Sequence, residues 1–123
     1  MKIYKHRVFA KWAKDEGVDN STLKQVINEI ESGLFEANLG SGLYKKRIAK
    51  KGFGKSSGYR TLIAFKQDDK AILMFGFAKN NRENITDAEL MSLKKLAQYY
   101  LPAIPAVIQN AIKIGELIEV IYE

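Results

Sequence analysis

The chain has 123 residues, 46% of them hydrophobic and 28% charged, with a formal net charge of +6; that length fits a single domain spanning 1–123 with a real core. It contains no cysteine, which excludes disulfides, thiolate metal sites and a cysteine nucleophile. No apolar run approaches the length of a membrane span, and the charged opening MKIYKHRVFAKW does not resemble a signal peptide, so a cytoplasmic location away from membranes is expected.

A short extended start, Lys2 to Lys5, is predicted to pass into a helix over Arg7 to Lys14, where Val8, Phe9, Trp12 and Ala13 follow helical spacing. Gly17 ends it. A second helix is capped by Asp19 or Ser21, with Leu23, Val26, Ile27, Ile30 and Leu34 on one apolar face and Gly33 as the stop. Such a pair forms a helical hairpin that needs a sheet to cover. Leu43 to Ala49, Arg60 to Lys66 and Ala71 to Ala78 are the strand candidates, the last two joined by Gln67-Asp68-Asp69. Their apolar runs are continuous rather than alternating, which predicts burial on both faces, with the first helices on one side and a later helix on the other. That later helix opens on the capping box Thr86-Asp87-Ala88-Glu89, with Ile85 and Leu90 at the staple positions. A short helix near Pro105 to Ile114 and a strand-like GELIEVIY close the chain.

Charge is concentrated in one third of the sequence. Between Gly42 and Arg82 lie eleven basic and two acidic residues, a local charge of +9, while the remainder carries −3. This is the footprint of a polyanion-binding protein; a solvated basic face is the plain alternative. Within the block, the glycine-rich loop Lys50-Lys51-Gly52-Phe53-Gly54-Lys55-Ser56-Ser57-Gly58-Tyr59-Arg60 runs straight into a strand. Glycines allow close approach of backbone to ligand, and exposed N–H groups can cup anionic oxygens. Gly54-Lys55-Ser56 is not a nucleotide phosphate loop, because the first glycine of that motif falls at Ala49 and a strand follows where a helix is required. Antiparallel pairing about the turn near Asp68 sets Arg60 opposite Gly76 to Ala78. Lys79 and Arg82 are therefore expected near Lys55 and Arg60, at one edge of the sheet.

Ser56-Ser57-Gly58-Tyr59-Arg60 running into TLIAF, then FGFAKNNRENI, then a capped helix rich in leucine and lysine, resembles the RelE/HigB superfamily of type II toxins over nearly the whole chain. Within that superfamily the sequence is most similar to the HigB branch, through Gly52-Phe53-Gly54-Lys55-Ser56-Ser57-Gly58-Tyr59-Arg60. The resemblance implies an α+β fold, with the helical hairpin packed on a small twisted, mainly antiparallel sheet and a C-terminal helix. It also implies endonucleolytic cleavage of mRNA, in the ribosome, and silencing by a cognate antitoxin, expected to be a helix-turn-helix protein that alone contacts operator DNA. Carried over by position, Arg60 matches the arginine on the scissile phosphate, Lys51 and Lys55 match basic loop positions, and Lys79 matches the lysine after the last central strand. The family's second loop lysine falls at Phe53, its arginine after the strand at Asn80 and its C-terminal tyrosine near Thr86; Arg82 is the stand-in for the arginine.

The chemistry needs no metal or cofactor. RNA brings its own nucleophile, the 2′-hydroxyl, and the protein must orient it, move protons and stabilise charge on phosphorus. Arginine suits the last task by forked donation to phosphate oxygens, and a lysine crowded by cations can act as a base. Arg60, Lys55, Lys79 and Arg82 are thus the candidate catalytic residues, and Lys45, Lys46, Arg47, Lys50, Lys51 and Tyr59 the candidate RNA contacts. For Tyr59, stacking on a base competes with packing on the sheet. Trp12 is read as core or partner interface. His6, the sole histidine, cannot form a two-histidine ribonuclease pair. Two other functions stay open: a gyrase-poisoning toxin of the ParE kind, and an RNA-binding module without catalysis.

Overall fold

The computed structural model describes residues 1–49 and 58–121; Lys50, Lys51 and Lys55 lie outside the described residues. Six strands among those described, β1 (Lys2–His6), β2 (Ala37–Asn38), β3 (Leu43–Ile48), β4 (Tyr59–Lys66), β5 (Lys70–Ala78) and β6 (Leu117–Glu119), form one sheet in the order β2-β3-β4-β5-β1-β6. Only the β1–β5 pair is parallel; the other four are antiparallel. The α+β architecture expected from the sequence is therefore the one observed. In the β4–β5 turn Asp68 takes φ 60°, a left-handed conformation that a short polar side chain tolerates.

The four helices are α1 (Arg7–Glu16), α2 (Asn20–Glu31), α3 (Asp87–Tyr100) and α4 (Pro105–Lys113). Successive strand residues point to opposite faces, and β4 supplies both cores. Ile63 and Phe65 join Phe9 of α1 and Leu23, Val26 and Ile27 of α2, whereas Leu62 and Ala64 join Leu93 and Ala97 of α3 and Ile108 of α4. Each fully buried aliphatic or aromatic side chain contributes about 1.5–3 kcal/mol, so both layers hold the sheet. This is why the apolar runs of the central strands are unbroken. Gly76 of β5 serves the first layer by leaving room for the Trp12 ring, which would lie 2.4 Å from an added Cβ.

The helix ends follow from local chemistry. The Nδ1 of His6 accepts the Val8 N–H at 3.3 Å to cap α1, and Gly17, at φ 74°, closes it. Asp19 caps α2 by accepting from the Thr22 N–H at 2.9 Å. The capping box of α3 is complete, with Glu89 N–H donating to Thr86 Oγ1 at 3.1 Å and Thr86 N–H to Glu89 Oε1 at 2.8 Å. At the other end of α3 stands a cation the sequence did not place. Lys70 is buried, and its ammonium donates to the carbonyls of Tyr100 and Ala103 at 3.2 and 3.1 Å.

Two expectations change. Leu34 does not extend the apolar face of α2, because the helix ends at Glu31, Gly33 turns the chain at φ 85°, and Leu34 is left exposed. Strand β2 was not foreseen. It is two residues long, too short for a periodicity to register, and is set by the turn Gly40-Ser41-Gly42, where three consecutive residues have positive φ. Among the described residues, no helix is long and apolar enough to cross a membrane.

Candidate nucleic-acid interface

The β4–β5 register sets Tyr59 opposite Ala78 and Arg60 opposite Phe77, and the Lys79 N–H continues the ladder by donating to the Gly58 carbonyl at 3.1 Å. On the other side of β4, Arg47 pairs with Arg60 and Ile48 with Tyr59. The basic segments thus meet as the hairpin geometry predicts. They meet at the end of two central strands rather than at a sheet edge, since β3 and β2 lie beyond β4, and β1 and β6 beyond β5.

On the face covered by α3, four cations and two carboxylates form a connected polar group. Glu36, just before β2, receives Arg60 Nε on Oε1 at 3.2 Å and Arg47 Nε on Oε2 at 3.2 Å, with Lys45 Nζ 3.9 Å from Oε1. Lys45 also donates to Asn84 Oδ1 at 3.1 Å. The Asn84 carbonyl accepts from Arg82 Nε at 3.0 Å, and both terminal nitrogens of Arg82 reach Glu89, at 3.2 and 2.5 Å. The Arg82 guanidinium lies 5.5 and 6.0 Å from the ring centres of Phe77 and Phe75, within cation–π range. Phe77 is therefore flanked by its register partner Arg60 and by Arg82.

Exposure separates these cations. The side chains of Arg47 and Arg82 are 47% and 34% exposed, that of Arg60 only 3%. Arg60, expected on the scissile phosphate, lies buried beside Phe77, with its charge met by Glu36. Lys79 is exposed.

Two expected RNA contacts belong elsewhere. Lys46 points to the opposite face, where its buried ammonium meets Glu29 of α2 at 2.6 Å. Tyr59 is buried on that same face, with its ring edge-on to Trp12 at 5.1 Å, and burial together with a hydrogen bond to Glu16 raises its pKa. Both are turned away by the two-residue period that turns Lys45, Arg47 and Arg60 towards α3. Lys70, counted in the basic block, is spent on the end of α3. The remaining expected residues, Lys50, Lys51 and Lys55, lie outside the described residues.

The carboxylates are tuned by these neighbours. Burial pushes the Glu36 carboxyl up, but the hydrogen bond from Arg47 and the charges of Lys45, Arg60 and Arg47 outweigh it and hold it below the usual range. Glu89 is lowered to about 2, first by the Arg82 hydrogen bonds and then by the backbone N–H of Thr86. A carboxylate whose folded pKa is depressed stabilises the fold fully above its unfolded pKa of about 4.3, and that contribution is lost as pH falls through the folded value. The stability advantage of wild type over Glu89→Gln, measured by urea unfolding, is therefore expected to shrink steadily from about pH 5 to about pH 2. An advantage independent of pH over that window would show that the carboxylate's charge contributes nothing.

Glu36, Asn84 and Glu89 were not among the candidates from sequence. Glu89 was recognised only as a cap. Glu36 had one available signal: it sits upstream of a Gly-Ser-Gly turn that folds its segment back on the basic strand β3, where its N–H donates to the Lys45 carbonyl at 2.8 Å. No group of three or more His, Cys, Asp or Glu side chains able to hold a metal ion occurs among the described residues. A family model described as RelE toxin of RelE / RelB toxin-antitoxin system matches residues 1–120. No curated protein matches the chain.

Proposed function

The chain belongs to the RelE toxin family of toxin–antitoxin systems, with a cognate antitoxin as its partner, and from that membership we propose that it is an endoribonuclease that cleaves mRNA on the ribosome and so halts translation. The observation that carries this is the gathering of Lys45, Arg47, Arg60 and Arg82 on one face at the end of the central strands, with Lys79 at the same end. The RNA backbone lies along the exposed cations Arg47 and Lys79 and the half-buried Arg82. Arg60 meets the scissile phosphate. Its guanidinium is held in the free protein through Nε by Glu36, and because the side chain is only 3% exposed, donation to the developing charge on phosphorus requires that substrate binding uncover it. The 2′-hydroxyl attacks in line, the 5′-oxygen leaves, and the protons move through side chains of the basic cluster. The antitoxin, proposed to be a helix-turn-helix protein, silences the toxin by setting acidic and apolar side chains over this end of the sheet or across α1 and α2.

The direct test is pulse induction of the chain followed by mapping of mRNA ends: new ends clustered within translated codons are expected, and an unchanged end map with growth arrest would sink the ribonuclease reading. A second test is electrostatic. About four phosphate contacts on a single strand correspond to a slope near −3 in log affinity against log salt. Filter binding to RNA across low to physiological salt should return a slope of about that size; a flat dependence would remove the basic cluster as a nucleic-acid face.

A further inference from the structure

We infer that Glu36 is a positioning residue of the proposed ribonuclease site, acting through Arg60 rather than on RNA. The inference rests on the site proposed above and goes beyond it, because it assigns a working role to an acid in a site otherwise defined by its cations. Three positive side chains, Lys45, Arg47 and Arg60, come from neighbouring positions of two paired strands, with Arg47 directly opposite Arg60. Like charges placed opposite each other across a strand pair repel. Nothing in the strand register aims their head groups at a common point, and the shared anion does. One oxygen of Glu36 takes Arg60 Nε at 3.2 Å and lies 3.9 Å from Lys45, while the other takes Arg47 Nε at 3.2 Å. The carboxylate holds Arg60 by Nε, which fixes the plane of a guanidinium whose value to a phosphate lies in its planar fork.

Glu36 is itself held by short-range structure. Its N–H is bonded to the Lys45 carbonyl at 2.8 Å, and the following residues form β2 against β3. A carboxylate anchored in this way sets the angle at which Arg60 meets substrate. It is also a negative charge in an RNA-binding site, and this makes its signature distinctive. Removing it should weaken the chemical step while leaving RNA affinity unchanged or tighter. Loss of a residue that merely supports the fold would not produce that division.

The experiment is steady-state cleavage of mRNA on programmed ribosomes by the full chain, comparing wild type, Glu36→Ala, Glu36→Gln and Arg60→Lys, and both Glu36 variants in the Arg60→Lys background, with thermal melting of each. Misplacing a reacting group by about 1 Å can cost on the order of 100-fold, so Glu36→Ala should lower kcat about 10- to 100-fold with KM unchanged or reduced. Glu36→Gln keeps one acceptor oxygen and the same size, and should retain an intermediate kcat; it serves in place of the alanine variant if that one fails to fold. In the Arg60→Lys background, removal of Glu36 should change kcat by less than about threefold, since residues that act through one another are not additive. Full kcat in both Glu36 variants, an increased kcat, or equal losses in the two backgrounds would each overturn the inference while leaving the ribonuclease site standing. Wild-type kcat in Arg60→Lys would instead remove the site itself, and the role of Glu36 with it.

Discussion

Arg60→Ala is expected to lower mRNA cleavage about 100- to 1000-fold, the usual effect of deleting one preorganised donor to transition-state charge. The side chain stands at the start of β4, opposite Phe77 of β5 and Arg47 of β3, where the basic segments meet. A buried arginine also contributes to the fold, and breaking its pairing leaves Glu36 with Arg47 and Lys45, which still balance its charge. The folded structure should therefore survive, with a lowered melting temperature. Arg60→Lys separates the two roles: it keeps a cation for Glu36 but replaces the planar fork with a point charge, so partial activity at near-normal stability is expected. Lys79→Ala should cost less than Arg60→Ala, because several cations share the field around the phosphate backbone. Normal melting of Arg60→Ala combined with near wild-type cleavage would show that the active site lies elsewhere.

Lys70→Met should be the reverse case, with a large loss of stability and intact chemistry in the molecules that remain folded. Lys70 belongs to the basic third of the sequence, yet its ammonium is buried against the carbonyls of Tyr100 and Ala103, with Asp69 at 4.0 Å. These carbonyls close α3, where the helix dipole favours a cation. Methionine fills the volume but donates nothing, and a buried acceptor left without its donor costs about 1–3 kcal/mol. The Tyr100 carbonyl keeps the Ala103 N–H at 3.2 Å, so the Ala103 carbonyl is the acceptor left bare, which implies a loss of about 1–3 kcal/mol and a fall in melting temperature on the order of 5–10 °C. RNA affinity and the salt slope of the folded protein should match wild type. Unchanged melting would refute the capping role; weakened RNA binding at unchanged stability would return Lys70 to the nucleic-acid face.

Lys70 and Lys46 show where composition stops being informative. Both count towards the charge of the block, and both are buried ion-paired or capping groups once the chain is folded. A charge total records how many cations a segment carries and says nothing of the direction each one faces. Direction in a strand is decided by parity, so Lys46 turns towards α2 while its neighbours Lys45 and Arg47 turn towards α3. The same parity takes Tyr59 away from the site and onto Trp12.

Much of the local structure was legible in the sequence. Helix starts were written in Asp19 and in the Thr86 to Glu89 capping box, the β4–β5 hairpin in two apolar runs around Gln67-Asp68-Asp69, and the two-sided burial of those strands in the absence of alternation. Family membership was legible for a related reason, because the residues entering β4 and leaving β5 form contiguous strings. Packing of the folded chain set the rest: the parallel pairing of β1 with β5, the strand β2, the burial of Arg60, and the meeting of Glu36 with Lys45, Arg47 and Arg60. Each of these depends on contacts between segments far apart in the chain, whose energy is not expressed in any local propensity or period. Glu36 is the clearest case, since an isolated acid upstream of a basic strand has no periodicity to mark it, and becomes the centre of three cations only when a Gly-Ser-Gly turn folds it back upon them.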